Sequence, residues 1–140
     1  MQRNILKHST ITCFLIALLF NFSSKAQETT VDDYKMSFSF KTIKKFDNTR
    51  LLEVTFIGKN REDRKDKIPV FDAEIQFFNI ANDEEILLGT AKTSNEGIAQ
   101  LILSEKQKYI TDEDGYINLT ARFEGTDALD AEEEEILVRD

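Results

Sequence analysis

From Tyr34 onward the apolar residues of this 140-residue chain return at every second position, and that period limits the possible folds more than any other feature. Tyr34, Met36, Phe38 and Phe40 alternate with Lys35, Ser37, Ser39 and Lys41; Leu52, Val54 and Phe56 repeat the pattern after Asp47-Asn48-Thr49. Ala73, Ile75 and Phe77 follow, then Ile117, Leu119, Ala121 and Phe123, and last Ile136 and Val138. A period of two sends successive side chains to opposite faces of a strand, whereas a helix needs apolar residues three and four apart. No stretch beyond residue 33 keeps the helical spacing. About seven short strands divided by turn formers predict an all-β chain, an antiparallel sandwich over residues 34–140.

Within that span, Leu88 to Leu103 reads as a hairpin. Ser94, Asn95 and Glu96 suit a type I turn, and Gly97 supplies the left-handed residue that closes a three-residue loop. Pairing Ser94 with Ile98 sets Ala91 opposite Leu101 and Gly89 opposite Leu103, small against large, on a face expected to be buried. The expected core is Phe38, Val54, Phe56, Ile75, Phe77, Ala91, Leu101, Leu119, Ala121 and Phe123. Phe78 and Ile80, out of step with Phe77, signal a bulge or a second covered face.

Three phrases carry a family resemblance: Ile68-Pro69-Val70-Phe71-Asp72-Ala73-Glu74-Ile75-Gln76-Phe77-Phe78, Gly89-Thr90-Ala91-Lys92-Thr93 with Gly97-Ile98-Ala99, and Leu119-Thr120-Ala121-Arg122-Phe123-Glu124-Gly125-Thr126-Asp127. They resemble bacterial immunoglobulin-like domains of invasin and adhesin type, over residues 68 to 127. Carboxypeptidase-regulatory-like sandwiches use a similar phrase. The resemblance implies an immunoglobulin-like sandwich serving as a spacer or binding module, and it carries over no catalytic residue.

The first 26 residues read as a secretory signal peptide. Arg3 and Lys7 precede the apolar run Ile11 to Phe20, and Ser24-Lys25-Ala26 gives a small-x-small cleavage pattern before Gln27. The run is about half the roughly 20 apolar residues of a membrane span, so no membrane insertion is expected after cleavage. Cys13 stands at the start of that run without the small residue before it that lipid attachment favours. Residues 27–33 form a polar leader. Removing residues 1–26 takes away the only Cys, the only His (His8) and three basic residues, leaving 15 Lys and Arg against 26 Asp and Glu, a net charge of −11. So acidic a domain repels phosphate backbones, which argues against a nucleic-acid partner. About 110 residues suffice to bury a core without disulfide or metal.

That composition also bears on chemistry. Without His or Cys the usual zinc sites and triads are excluded, and five scattered glycines build no phosphate loop. The carboxylates fall in turn-rich runs where water keeps their acidity ordinary, unlike a general acid. No catalytic, cofactor-binding or metal residue is therefore assigned and no enzyme activity is expected. A weak Ca2+ site among Glu124, Asp127, Asp130 and the Glu132 to Glu135 run is the one ion chemistry left open. The mixed-charge run from Lys59 to Lys67 is expected as a solvated loop, its five basic residues offering a local contact patch as the sharper reading. The candidate edge strands are the one begun by Pro69 and Ile136 to Val138; the latter either pairs firmly inside the sandwich, which is expected, or adds to a partner's sheet. The expectation is an exported, non-catalytic module, periplasmic or at the cell surface, that spaces other parts or binds a protein of the cell envelope. The alternative is an accessory domain of a carbohydrate- or peptide-processing envelope system.

Overall fold

A computed structural model describes residues 32–139 of the chain. The expected signal peptide and most of the leader lie outside the described residues. Eight strands run through them: β1 (Tyr34–Lys44), β2 (Arg50–Asn60), β3 (Lys67–Pro69), β4 (Glu74–Ala81), β5 (Glu84–Lys92), β6 (Ile98–Leu103), β7 (Ile117–Phe123) and β8 (Glu132–Val138).

The strands divide into two four-stranded sheets. In the first, β2 lies between β1 on one side and β6 and β3 on the other. β6 covers Arg50 to Thr55 of β2, and β3 covers Ile57 to Lys59. The second sheet runs β5-β4-β7-β8, antiparallel throughout.

Local chemistry explains the connections. At the β1–β2 turn, Asn48 is left-handed (φ 64°), and the Asp47 carboxylate accepts from both the N–H (3.1 Å) and the hydroxyl (2.6 Å) of Thr49. Between β4 and β5, Asn82 (φ 51°) and Asp83 (φ 65°) form a two-residue turn with both residues left-handed, the form that matches strand twist. Further on, Phe77 pairs with Gly89 but Phe78 with Leu87, so Leu88 of β5 is the extra residue of a bulge, while β4 alternates unbroken through Phe77 and Phe78, where the sequence suggests a bulge or a second covered face.

The expected hairpin is corrected. Its turn forms as read: Gly97 is left-handed (φ 77°), and Ser94 and Gly97 close it by N–H bonds to Ile98 O and Ser94 O, both 2.9 Å. The strands on either side then part, β5 pairing with β4 and β6 with β2. Thr93 turns the chain. Its N–H donates to Ala73 O (2.9 Å), its carbonyl accepts from Asp72 N (3.0 Å), and its hydroxyl accepts from Ala73 N (2.8 Å). The small-against-large match survives in another form, because Leu101 lies over Gly89 across the two sheets. A Cβ at Gly89 would come within 2.9 Å of Leu101 Cδ2. Two shorter corrections follow. β2 and β3 extend into the expected 59–67 loop, and β8 begins at Glu132, not Ile136, because the acidic run is itself extended.

The core lies between the sheets. Val54, Phe56, Ile75, Phe77, Leu119, Ala121 and Phe123 are buried as expected, while Phe38, Ala91 and Leu101 are half-buried and pack against them. Phe56 of the first sheet meets Phe123 of the second at 5.1 Å between ring centres, and Phe40 meets Phe77 at 5.8 Å. Each such side chain removed from water contributes about 1.5–3 kcal/mol. Buried Asn79 ties the β6–β7 crossing to the core: its amide donates to Ile110 O (3.1 Å) and Asn118 O (3.0 Å), and its Oδ1 accepts from Ile110 N (2.7 Å). A buried amide with donors and acceptor all used is stabilising where a half-satisfied one would cost.

Candidate interaction surface

The acidic run does not gather into a cluster. Alternation along β8 sends Glu133 to Arg122 (2.7 Å) and Glu135 to the Asn118 amide (3.0 Å) on the outer face, while Glu134 turns the other way to the Phe40 N–H (3.2 Å). Among the described residues no three His, Cys, Asp or Glu side chains come together as ion ligands, Glu124, Asp127 and Asp130 included.

The outer face of the second sheet is knitted by one cation. Arg122 donates two hydrogen bonds to Glu85 (2.8 and 3.2 Å) and a third through Nε to Glu133, and its guanidinium lies 4.5 Å from the centre of the Phe78 ring. The Arg122 bonds hold the Glu85 carboxyl below its ordinary value, and the two glutamates push the guanidinium's pKa up. This network closes the face on itself.

The sheet edges differ in how they are protected. β8 carries four glutamates and pairs with β7 over all seven of its residues, and Glu134 links it to the edge of β1. β5 carries Glu84, Glu85 and Lys92 and the bulge at Leu88. β3 is three residues long and ends in Pro69. Charge, a bulge, proline and shortness are the usual protections of an exposed edge. β6, Ile98-Ala99-Gln100-Leu101-Ile102-Leu103, has none of them.

The ladder says which of its groups are open. Phe56 N donates to Gly97 O at 2.7 Å, and antiparallel alternation from that bond turns Ala99, Leu101 and Leu103 toward β2 and Ile98, Gln100 and Ile102 away from it. Ile98 O is taken by Ser94 N. The N–H and C=O groups of Gln100 and Ile102 face away from β2, and no strand of the described residues pairs with them. An exposed apolar side chain adjoins them: Ile102, 59% exposed, pairs with Leu51, and across β2 the exposed Ile43 stands near the end of β1.

Of the two candidate edge strands, the Pro69 strand is a three-residue pairing, and Ile136 to Val138, the second half of β8, pairs with β7 as expected; neither offers the open, uncharged edge. β6 was legible in part, as a six-residue run without charge in a chain whose residues are 31% charged. Reading it as half of a hairpin gave its edge to β5. Comparison with protein-family models, curated proteins and solved structures finds no match to this chain.

Proposed function

We propose that the chain is an exported, non-catalytic immunoglobulin-like module of the bacterial cell envelope that binds a protein partner by strand addition at β6. Strand order supports the immunoglobulin-like type. With β1, β2, β4, β5, β6, β7 and β8 taken as strands A, B, C, C′, E, F and G, the sheets read ABE and C′CFG. The constant-type arrangement is ABED over CFG, with a D strand covering E. Here the fourth of these strands pairs with C instead, so the place beside E is where a partner's strand fits.

The observation that carries the reading is the uncharged edge of β6, with the outward backbone groups of Gln100 and Ile102 and the exposed Ile102 side chain beside them. Main-chain bonds supply affinity in strand addition, and alternate side chains supply selectivity. A spacer without a partner has no use for such an edge. Export follows from the charge and apolar pattern of residues 1–26. The test is Ile102→Lys, which restores an edge charge at an exposed site. Stability should stay within about 0.5 kcal/mol of the parent, while the envelope protein that co-purifies with the parent from its own host is lost. Unchanged co-purification contradicts the reading.

A further inference from the structure

We infer that the groove at the start of β1 is a second, independent binding site that takes an extended acidic peptide segment. Lys35, Lys59, Arg61, Arg64 and Lys67 line this groove, whose volume is about 820 Å³. They are five of the fifteen basic residues after residue 26, drawn together on a domain with a large excess of acid. Ion pairs occur elsewhere on the domain, at Lys41–Glu53, Lys92–Asp72 and Arg122 with Glu85 and Glu133, but none of the five groove cations makes one with a described residue.

Two of the loop's own acids, Asp63 and Asp66, accept hydrogen bonds within the loop. Asp66 Oδ2 accepts from the Asn60 amide (3.2 Å) and Asp63 Oδ1 from Lys65 N (3.1 Å), while Asn60 Oδ1 accepts from Glu62 N (2.9 Å) and Asp63 N (3.2 Å). These bonds fold the loop between β2 and β3 and leave its cations on the groove. Five like charges against a single acid raise the local potential and draw an anion.

The backbone selects the kind of anion. Phe40 N points away from β2 to Glu134, so the alternation of an antiparallel ladder turns the N–H and C=O groups of Phe38 and Met36 the same way, along the β1 edge at the groove. Half-buried Met36 and Phe38 give the groove its apolar side. An extended peptide alternating carboxylates with apolar side chains matches all three elements, the edge, the apolar side and the cations. A sulfated or phosphorylated polymer matches only the last. Glu132 is the single acid on the lining and sets the end that a carboxylate avoids.

Fluorescence anisotropy of the purified protein with a labelled peptide alternating Glu and Val tests this, with the Gln-for-Glu peptide as comparison. The Glu peptide should bind at least tenfold more tightly than the Gln peptide, and weaken as ionic strength rises to about 0.15 M. The triple variant Lys59→Glu, Arg61→Glu, Arg64→Glu should lose that advantage, while Lys106→Glu, Lys108→Glu, away from the groove, should keep it. The β6 variant Ile102→Lys should also keep it, which separates this site from the strand-addition edge. Equal binding of the two peptides, equal loss in the Lys106/Lys108 variant, or binding of a sulfated polysaccharide without binding of the Glu peptide overturns the inference.

Discussion

The Glu134 carboxylate accepts a hydrogen bond from the Phe40 N–H at 3.2 Å, joining residues 94 positions apart in the chain. The two strands belong to different sheets, so this bond ties one sheet to the other. A half-buried carboxylate bonded to a backbone donor contributes more than a neutral pair. Glu134→Ala should cost about 1–3 kcal/mol and speed amide exchange at Phe40. Glu135→Ala, on the outer face of the same strand, should change neither by much. Exchange at Phe40 that does not respond to Glu134→Ala would contradict the assignment.

Phe77 lies fully buried between the sheets, with Phe40 at 5.8 Å. Phe77→Ala should lower stability by about 3–5 kcal/mol, the range for deleting a packed core aromatic. An unmoved urea midpoint would show that the β4 register is wrong.

Gly97 and Gly115 are both left-handed but differ in their surroundings. A Cβ at Gly97 would run into the Phe56 carbonyl, whereas at Gly115 it meets nothing within 4 Å. Gly115→Ala should therefore show only the left-handed penalty of about 1–2 kcal/mol. Gly97→Ala should exceed that clearly, because backbone must move. Similar urea midpoints for the two variants would contradict the turn geometry.

Glu53 makes the first sheet sensitive to acid. The Gln100 amide (2.6 Å) and the Lys41 ammonium (2.9 Å) hold its carboxyl below the ordinary range. A carboxyl lowered on folding contributes stability above its unfolded value of about 4.3, and that contribution is lost as pH falls through the lowered folded value. Glu53→Gln should thus be less stable than the parent at neutral pH, and the gap should close on acidification. A gap that widens as pH falls would reverse the sign and contradict the pairing.

Much of this fold was legible because strand period and turn chemistry are local. The alternation from Ile75 to Ala81 marked β4, and Asn95-Glu96-Gly97 placed the turn, whereas the bulge fell on Leu88 of β5 and not at Phe77-Phe78. What the sequence could not display was the allegiance of the strands beyond the turn. Nothing between Lys92 and Ile98 distinguishes a hairpin from a crossing between sheets until Thr93 meets Ala73, twenty residues earlier. The open edge at β6 went unread for the same reason, since an edge is defined by the strand that is missing beside it. The basic residues from Lys59 to Lys67 were visible as a run, but their meeting with Lys35 on one groove depends on how the loop folds through Asn60, Asp63 and Asp66.

The account rests on β6 as the surface that meets a partner. The measurement that tests it most directly is site-specific photocrosslinking in the protein's own host, with the probe at Ile102 or at Thr90 on the edge strand of the other sheet. The account predicts a discrete protein adduct from Ile102 and none from Thr90, and predicts that Gln100→Pro, which removes an outward N–H and leaves the backbone ladder to β2 intact, abolishes it, while Gln100→Ala, which loses only the side-chain bond to Glu53, keeps it. Adducts of equal yield from both positions, or an Ile102 adduct that survives Gln100→Pro, would contradict it.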